Sequence, residues 1–339
     1  MRRFLILCIL LVTVTNLALC QVQDTTKKFT PSGKVEARIF SDFFYEFNQK
    51  KTAFEITRVY LGYNYNYSQT ISARVTMDVS KPDIMVNGKS SDTIISSLQN
   101  VAHLKFAYGV YQKNKFSLSF GMIELNQFKL QDQFWSRRYV MKTIQDEYGI
   151  CPSADIGVKA DYKILDWLSA DITMRNGEGF KKVQADNIYW YGLGFTLQPF
   201  KGFTYRTYFD YSKKVIGQIN FSNFVSYNSK KFKIGFEVAV SQDNGYSDGK
   251  KLIALSTSAG FKLSPKLELF GRLDKLTSNT LTGSTHAWNY DNNLSLVMLG
   301  LQFNPIENIA FAVNGRYQVP ENTTKDKKVS VYMNVDFKF

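Results

Sequence analysis

The chain closes on Lys328-Val329-Ser330-Val331-Tyr332-Met333-Asn334-Val335-Asp336-Phe337-Lys338-Phe339, and the alternation in this stretch decides the fold. Val329, Val331, Met333, Val335, Phe337 and Phe339 are apolar, and Lys328, Ser330, Tyr332, Asn334, Asp336 and Lys338 interleave with them. In an extended strand the two sets point to opposite faces, whereas a helix would scatter both around its axis. Residues 71–80 repeat the pattern, with Ile71, Ala73, Val75, Met77 and Val79 against Ser72, Arg74, Thr76, Asp78 and Ser80. Residues 155–164 do so again. Period two, not 3.6, governs these segments.

Carried along the chain, the same reading predicts about sixteen strands: 34–47, 53–66, 69–80, 101–112, 115–124, 153–164, 166–176, 188–198, 201–212, 216–228, 230–242, 250–263, 265–275, 291–303, 306–317 and 328–339. Most are long enough to cross a bilayer at a tilt, where soluble strands are nearer five or six residues. The junctions alternate independently of this. Those at Ser68, Asn114, Leu165, Pro199-Phe200, Ser229, Ser264 and Pro305 are very short, while 81–100, 125–152, 177–187, 276–290 and 318–327 are long. Short turns on one side and long loops on the other mark a membrane barrel, and a soluble sandwich has no reason to alternate its loop lengths. The expected fold is therefore all-β, a transmembrane antiparallel up-and-down barrel. Lipid cannot satisfy the edge of an open sheet, so the sheet must close.

Composition agrees. Tyr 20 and Phe 27 accompany 21% charged residues, and beyond the N-terminus no apolar run reaches the ~18 residues of a membrane helix. Met1-Arg2-Arg3, the apolar stretch from Phe4 to Val14 and Ala18-Leu19-Cys20 ahead of Gln21 have the layout of a secretory signal peptide over residues 1–20. A lipidated Cys20 is the rival reading, disfavoured by the bulky Leu19. Residues 21–32 read as a flexible lead-in and 33–339 as the barrel. Removing the signal leaves Cys151 as the one cysteine, so no intrachain disulfide forms. With two histidines and one thiol a transition-metal site is not expected, nor any cofactor. The net charge of +13 reads as general surface charge rather than as a nucleic-acid site.

Alternation also assigns the interior. Arg38, Arg58, Arg74, Lys105, Lys159, Arg175, Arg206, Arg272 and Arg316 fall on the inward parity, interspersed with nearly as many carboxylates. Opposite charges are expected to pair across neighbouring strands, contributing well under ~1 kcal/mol per pair in a wet wall. A barrel of this strand number is too wide for side chains to fill, which implies an aqueous channel.

The longest loop, 125–152, carries Phe134-Trp135-Ser136-Arg137-Arg138-Tyr139-Val140-Met141-Lys142. With Gly121-Met122 leading into it and Ser153-Ala154-Asp155-Ile156-Gly157 returning to the wall, the chain resembles the sixteen-stranded outer-membrane porins, and among them the phosphate-selective porin O and P family. The terminal Phe339 likewise resembles the recognition signal of outer-membrane barrels. The resemblance implies a Gram-negative outer-membrane location, a loop folded inward as a constriction, and passage of small hydrophilic or anionic solutes. It further implies a homotrimer as one assembly, set among outer-membrane lipid and lipopolysaccharide. Arg137, Arg138 and Lys142 are then the constriction residues, giving a weak preference for anions such as phosphate. Were the segment helical, Arg138 and Lys142 would share a face. Asp132, Asp146 and Glu147 in the same loop are positioned in sequence to neutralise them. The plain alternative is a lid packed by Phe134, Trp135 and Tyr139, its arginines meeting water or lipopolysaccharide.

An enzyme is not expected, because His103 and His286 are the only imidazoles and neither adjoins a serine motif. A third class is a barrel that anchors a secretion or adhesion assembly. The junction lengths place residues 81–100, 177–187 and 276–290 at the cell surface and both termini in the periplasm. An epitope tag at Lys89 should be reached by antibody on whole cells and one at Asn114 should not; the reverse pattern would invert the barrel.

Overall fold

A computed structural model describes residues 29–80 and 100–339. The signal-peptide expectation, most of the lead-in and nearly all of junction 81–100 lie outside the described residues.

The barrel unit runs from Ser32 to Phe339. Its first eight strands are β1 (Ser32–Glu46), β2 (Lys51–Asn66), β3 (Ile71–Ser80), β4 (Val101–Lys113), β5 (Phe116–Glu124), β6 (Ala154–Leu165), β7 (Leu168–Arg175) and β8 (Trp190–Leu197). The remaining eight are β9 (Phe203–Lys213), β10 (Gly217–Asn228), β11 (Phe232–Gln242), β12 (Lys251–Lys262), β13 (Leu267–Ser278), β14 (Leu294–Ile306), β15 (Ile309–Pro320) and β16 (Lys328–Lys338). Each pairs antiparallel with its sequence neighbours, and β1 pairs with β16 to close the ring. The seam register sets Arg38 opposite Lys338 and Phe40 opposite Asp336. The sixteen strands match the sequence expectation, with end shifts of a few residues at β13, β14 and β15; the turn expected at Pro305 lies at 307–308.

Among the described residues one end of the barrel has uniformly short turns, and the other has connections that vary widely, from 214–216 to 125–153. Junctions 67–70, 114–115, 166–167, 198–202, 229–231, 263–266 and 307–308 form one end of the barrel. The other end carries the connections after β1, β3, β5 and each alternate strand onward. Tyr63, Tyr67, Tyr111, Tyr162, Trp167, Phe200 and Phe232 are exposed near the short-turn end, the position of an aromatic girdle at a membrane interface.

Facing follows parity. Val75 is 48% exposed and Val331 39%, while Lys159 and Asp336 are buried. The outward surface of the strands is an apolar belt including Leu61, Phe120, Ile172, Leu273, Leu299 and Met333. A closed sheet wrapped in such a belt is a membrane-spanning barrel. Besides irregularities beside the turns at Lys163/Leu165 and Phe303/Ile306, two bulges interrupt the parity within the wall. Between Thr76 and Met77 the register passes from Phe106 to Leu104, so Lys105 is the extra residue and both Lys105 and Phe106 are buried inside. A bulge adds one unpaired residue and re-aims its neighbours. The second, between Phe40 and Ser41, skips Thr57.

Met333 lies midway along β16 with 54% of its surface exposed. Met333→Arg should destabilise the barrel by about 2–4 kcal/mol in unfolding from lipid bilayers, the cost of a cation on the lipid face near the midplane. A negligible change would mean that this face meets water.

Candidate functional site

The loop between β5 and β6 holds two short helices, α1 (Lys129–Trp135) and α2 (Ile144–Glu147). Ser136 takes a left-handed conformation, φ 57°, and its N–H donates to the Asp132 carbonyl, which ends α1. Residues 137–142 are therefore not helical, so the expected helical face shared by Arg138 and Lys142 does not form. The corrective signal is one serine forced into αL, a conformation non-glycine residues adopt rarely.

The loop packs on an apolar area of the inner wall. Trp135, Tyr139, Val140 and Ile144 are buried with Leu252 and Ala254 of β12, Phe270 of β13, Leu296 and Met298 of β14, and Ala312 of β15. Trp135 meets Phe270 edge-on at 5.9 Å, and its Nε1 donates to the Met141 carbonyl at 2.8 Å. Gly235 faces Phe134 so closely that a Cβ there would sit 2.5 Å from the ring. Polar anchors then fix the backbone. Arg272 Nη1 donates to the Lys142 carbonyl at 2.5 Å, Arg316 Nη2 to the Val140 carbonyl at 2.7 Å, and Lys233 Nζ to the Phe134 carbonyl at 3.0 Å. Two of the nine expected pore-lining cations thus hold loop carbonyls, and a third, Lys159, donates to the Asn126 side-chain oxygen at 2.8 Å.

Arg137 is parted from the other two expected constriction residues, which both act on Asp146. Arg137 is fully buried, lies over the Phe270 ring at 4.7 Å, and approaches Glu268 Oε1 at 2.7 Å, off the line of a hydrogen bond. Arg138 turns toward the opposite wall, donates from Nε to the Tyr60 hydroxyl at 3.0 Å, and pairs with Asp146 at 2.5 Å and Asp132 at 3.4 Å. Burial would raise the Asp146 carboxyl, but Arg138 and then Lys142 outweigh it and hold it down at about 2. Arg138 is therefore neutralised at ordinary pH, as the loop's own acids suggested. Lys142 is half-buried.

The other wall cations are paired as well. Arg38 grips Asp336 through two hydrogen bonds of 2.8 and 2.7 Å. Arg58 and Lys105 flank Asp78 at 3.3 and 3.7 Å, and both donate to the Tyr60 hydroxyl. Arg175 bridges Asp155 at 3.3 Å and Asp210 at 3.0 Å, and Arg206 pairs with Asp171 at 2.8 Å. Arg272 pairs with Asp274 at 2.6 Å, Lys159 with Asp161 at 3.9 Å, and Arg74 with Glu36 at 4.0 Å. Arg316 stacks over Tyr332 at 3.6 Å. The expectation of weak, wet pairs needs correction here. Asp78 and Asp210 are fully buried, and removing one partner from such a pair costs about 3–5 kcal/mol.

Open space remains at the short-turn end around α1: one cavity of about 580 Å³ lies by the turn at 198–202, beside Leu130, Gln133 and Phe134, and two others flank the helix. A cavity of about 590 Å³ lies against β1 to β4, bordered by Arg38, Arg74, Lys105, Arg138, Glu36 and Glu124 among others. A second, of about 460 Å³, lies against β4 to β9, bordered by Asp161, Asp171 and Arg206. Lys129 and Gln133, one helical turn apart, border both. Parity cannot reach these two residues because they lie in a loop, although a Lys-x-x-x-Gln spacing would have placed them together once α1 was recognised. Lys129 pairs with Glu124 at 2.5 Å. The two imidazoles are far apart in chain and setting, His103 edge-on to Phe180 and His286 stacked on Tyr290.

The chain matches no protein-family model and no curated protein in sequence. Its structure is similar to several solved barrels. The outer membrane channel DcaP of Acinetobacter baumannii superposes with a TM-score of 0.66 at 13% identity, covering 94% of this chain and 100% of that one. OmpF of Salmonella typhi, solved with daunomycin, gives 0.66 at 12% identity over 91% and 97%. The anion-selective porin from Comamonas acidovorans gives 0.64 at 10% identity over 91% and 100%. At such identities the likeness is one of fold: the chain has the sixteen-stranded architecture of outer-membrane channel proteins.

Proposed function

We propose that this protein is an outer-membrane porin, a passive channel for small hydrophilic solutes with a weak preference for anions, phosphate among them. The observation that carries this reading is the set of cavities around the inward loop inside a closed sixteen-stranded wall, two of them bordered by charged side chains. A charge steers an ion only within about one Debye length, near 8 Å at physiological salt, so selectivity belongs where the space is narrow. Lys129 on α1, with Arg74 and Lys105 bordering the same cavity, fits that role. Arg137, sealed against Glu268, does not. The finer resemblance to phosphate-selective porins makes phosphate the anion to measure first, and the anion-selective fold neighbour is consistent with the sign. A homotrimer embedded in outer-membrane lipid and lipopolysaccharide belongs to the same reading, since one fold neighbour, OmpT of Vibrio cholerae, was solved in a trimer form.

Planar-bilayer recordings in asymmetric potassium chloride and phosphate test it. Wild-type protein should conduct with a small anion bias in reversal potential. Lys129→Glu should shift the reversal potential toward cation preference, and Arg137→Gln should leave it in place. Folded protein that never conducts would overturn the channel reading, and an unmoved potential in Lys129→Glu would place selectivity elsewhere.

A further inference from the structure

Two glutamines of the inward loop, one of them backed by a third, converge on a single wall carboxylate. Gln127, Gln131 and Gln145 are each almost wholly buried, and Glu237 of β11, which Gln131 and Gln145 reach, is 4% exposed. Gln145 Nε2 donates to Glu237 Oε1 at 2.5 Å and to Ser222 Oγ of β10 at 2.9 Å. Its own oxygen accepts from Gln127 Nε2 at 2.8 Å. Gln131 Nε2 reaches Glu237 Oε1 and Ser222 Oγ at 3.5 Å. Among the described ion pairs Glu237 has no member, and Arg272 nearby is committed to Asp274 at 2.6 Å.

A buried carboxylate needs donors, and here the donors are neutral amides supplied by the loop. The apolar packing around Trp135 is non-directional and tolerates sliding. A hydrogen bond is lost within a few tenths of an ångström beyond its range, so this cluster sets how deep the loop sits on the β10–β11 side, as Arg272, Arg316 and Lys233 do through loop carbonyls elsewhere. We propose that Glu237 is a positioning residue: through Gln145 it fixes the depth of the loop in the lumen and thereby the open cross-section beside α1. This inference rests on the channel reading, but its structural core can be read without conduction.

The test reverses the pair. Gln145→Glu, recorded at alkaline pH so that both carboxylates are ionised, sets like charges against each other and should push the loop away from β11. Single-channel conductance should rise with noisier open levels, and trypsin should cut faster at Arg137, Arg138 or Lys142. The double variant Gln145→Glu with Glu237→Gln restores an amide facing a carboxylate with the roles exchanged, and should return both readouts to wild type. Should Gln145→Glu fail to fold, judged by loss of the heat-modifiable band on electrophoresis, Gln145→Leu removes the donor without adding charge and should loosen the loop likewise. Wild-type conductance and trypsin resistance in the folded single variants would overturn the proposal. So would a folded double variant that stays loosened. If wild-type protein does not conduct at all, the channel reading fails while the trypsin comparison still decides the role of Glu237.

Discussion

Every backbone N–H and C=O in a lipid-facing strand must find its partner inside the protein, because hydrocarbon offers none. Closing β1 on β16 meets that demand for the whole sheet, and the rest of the architecture is a response to it. Sixteen strands are enough to close with a lumen too wide for wall side chains to fill. The loop after β5 occupies part of that lumen, and it does so with an ordinary protein core, Trp135 and Ile144 on one side and Phe270 and Met298 on the other. The molecule thus has two apolar surfaces with opposite purposes. The outer belt meets lipid, and a smaller inner area over β12 to β15 meets the loop.

This division alters what the interior charges can do. A wall lined by free arginines would bias permeation strongly. Here Arg38, Arg58, Arg175, Arg206 and Arg272 are each committed to a carboxylate, and Arg272 and Arg316 also carry loop carbonyls. Pairing each of these cations with a carboxylate leaves little net field at its position. What remains to act on a passing ion is the small set around α1, where Lys129 is shared between two cavities.

How far the sequence could be read follows from which physical forces repeat along it. Lipid on one side and a polar lumen on the other impose period two, so Val331 and Asp336 could be sided from the residues alone. The bulge at Lys105 was invisible, since inserting one residue leaves no compositional mark. The seat of the loop was partly legible. In β14 the inward Leu294, Leu296 and Met298 are as apolar as the outward Val297, Leu299 and Leu301, so loss of alternation there marks a covered wall. The partners of Arg137 and Arg138 were not legible, because no periodicity governs an irregular loop and their fates depend on the turn made at Ser136. Nor could the sequence show that Glu237 faces glutamines rather than a cation.

The seam between β1 and β16 has a bearing on how the molecule comes to exist. Arg38 and Asp336, which clasp each other across it, are separated by 298 positions in the chain. The ring cannot shut until the last strand has been made, and until then β1 and whichever strand was added most recently both present unpaired edges. Such edges invite pairing with any other chain nearby. Contacts between the chain's two ends also form slowly, since the largest loop entropy must be overcome first. Biogenesis therefore passes through an open, adhesive sheet, and the polar handshake at its two ends comes last, as the sheet becomes a ring.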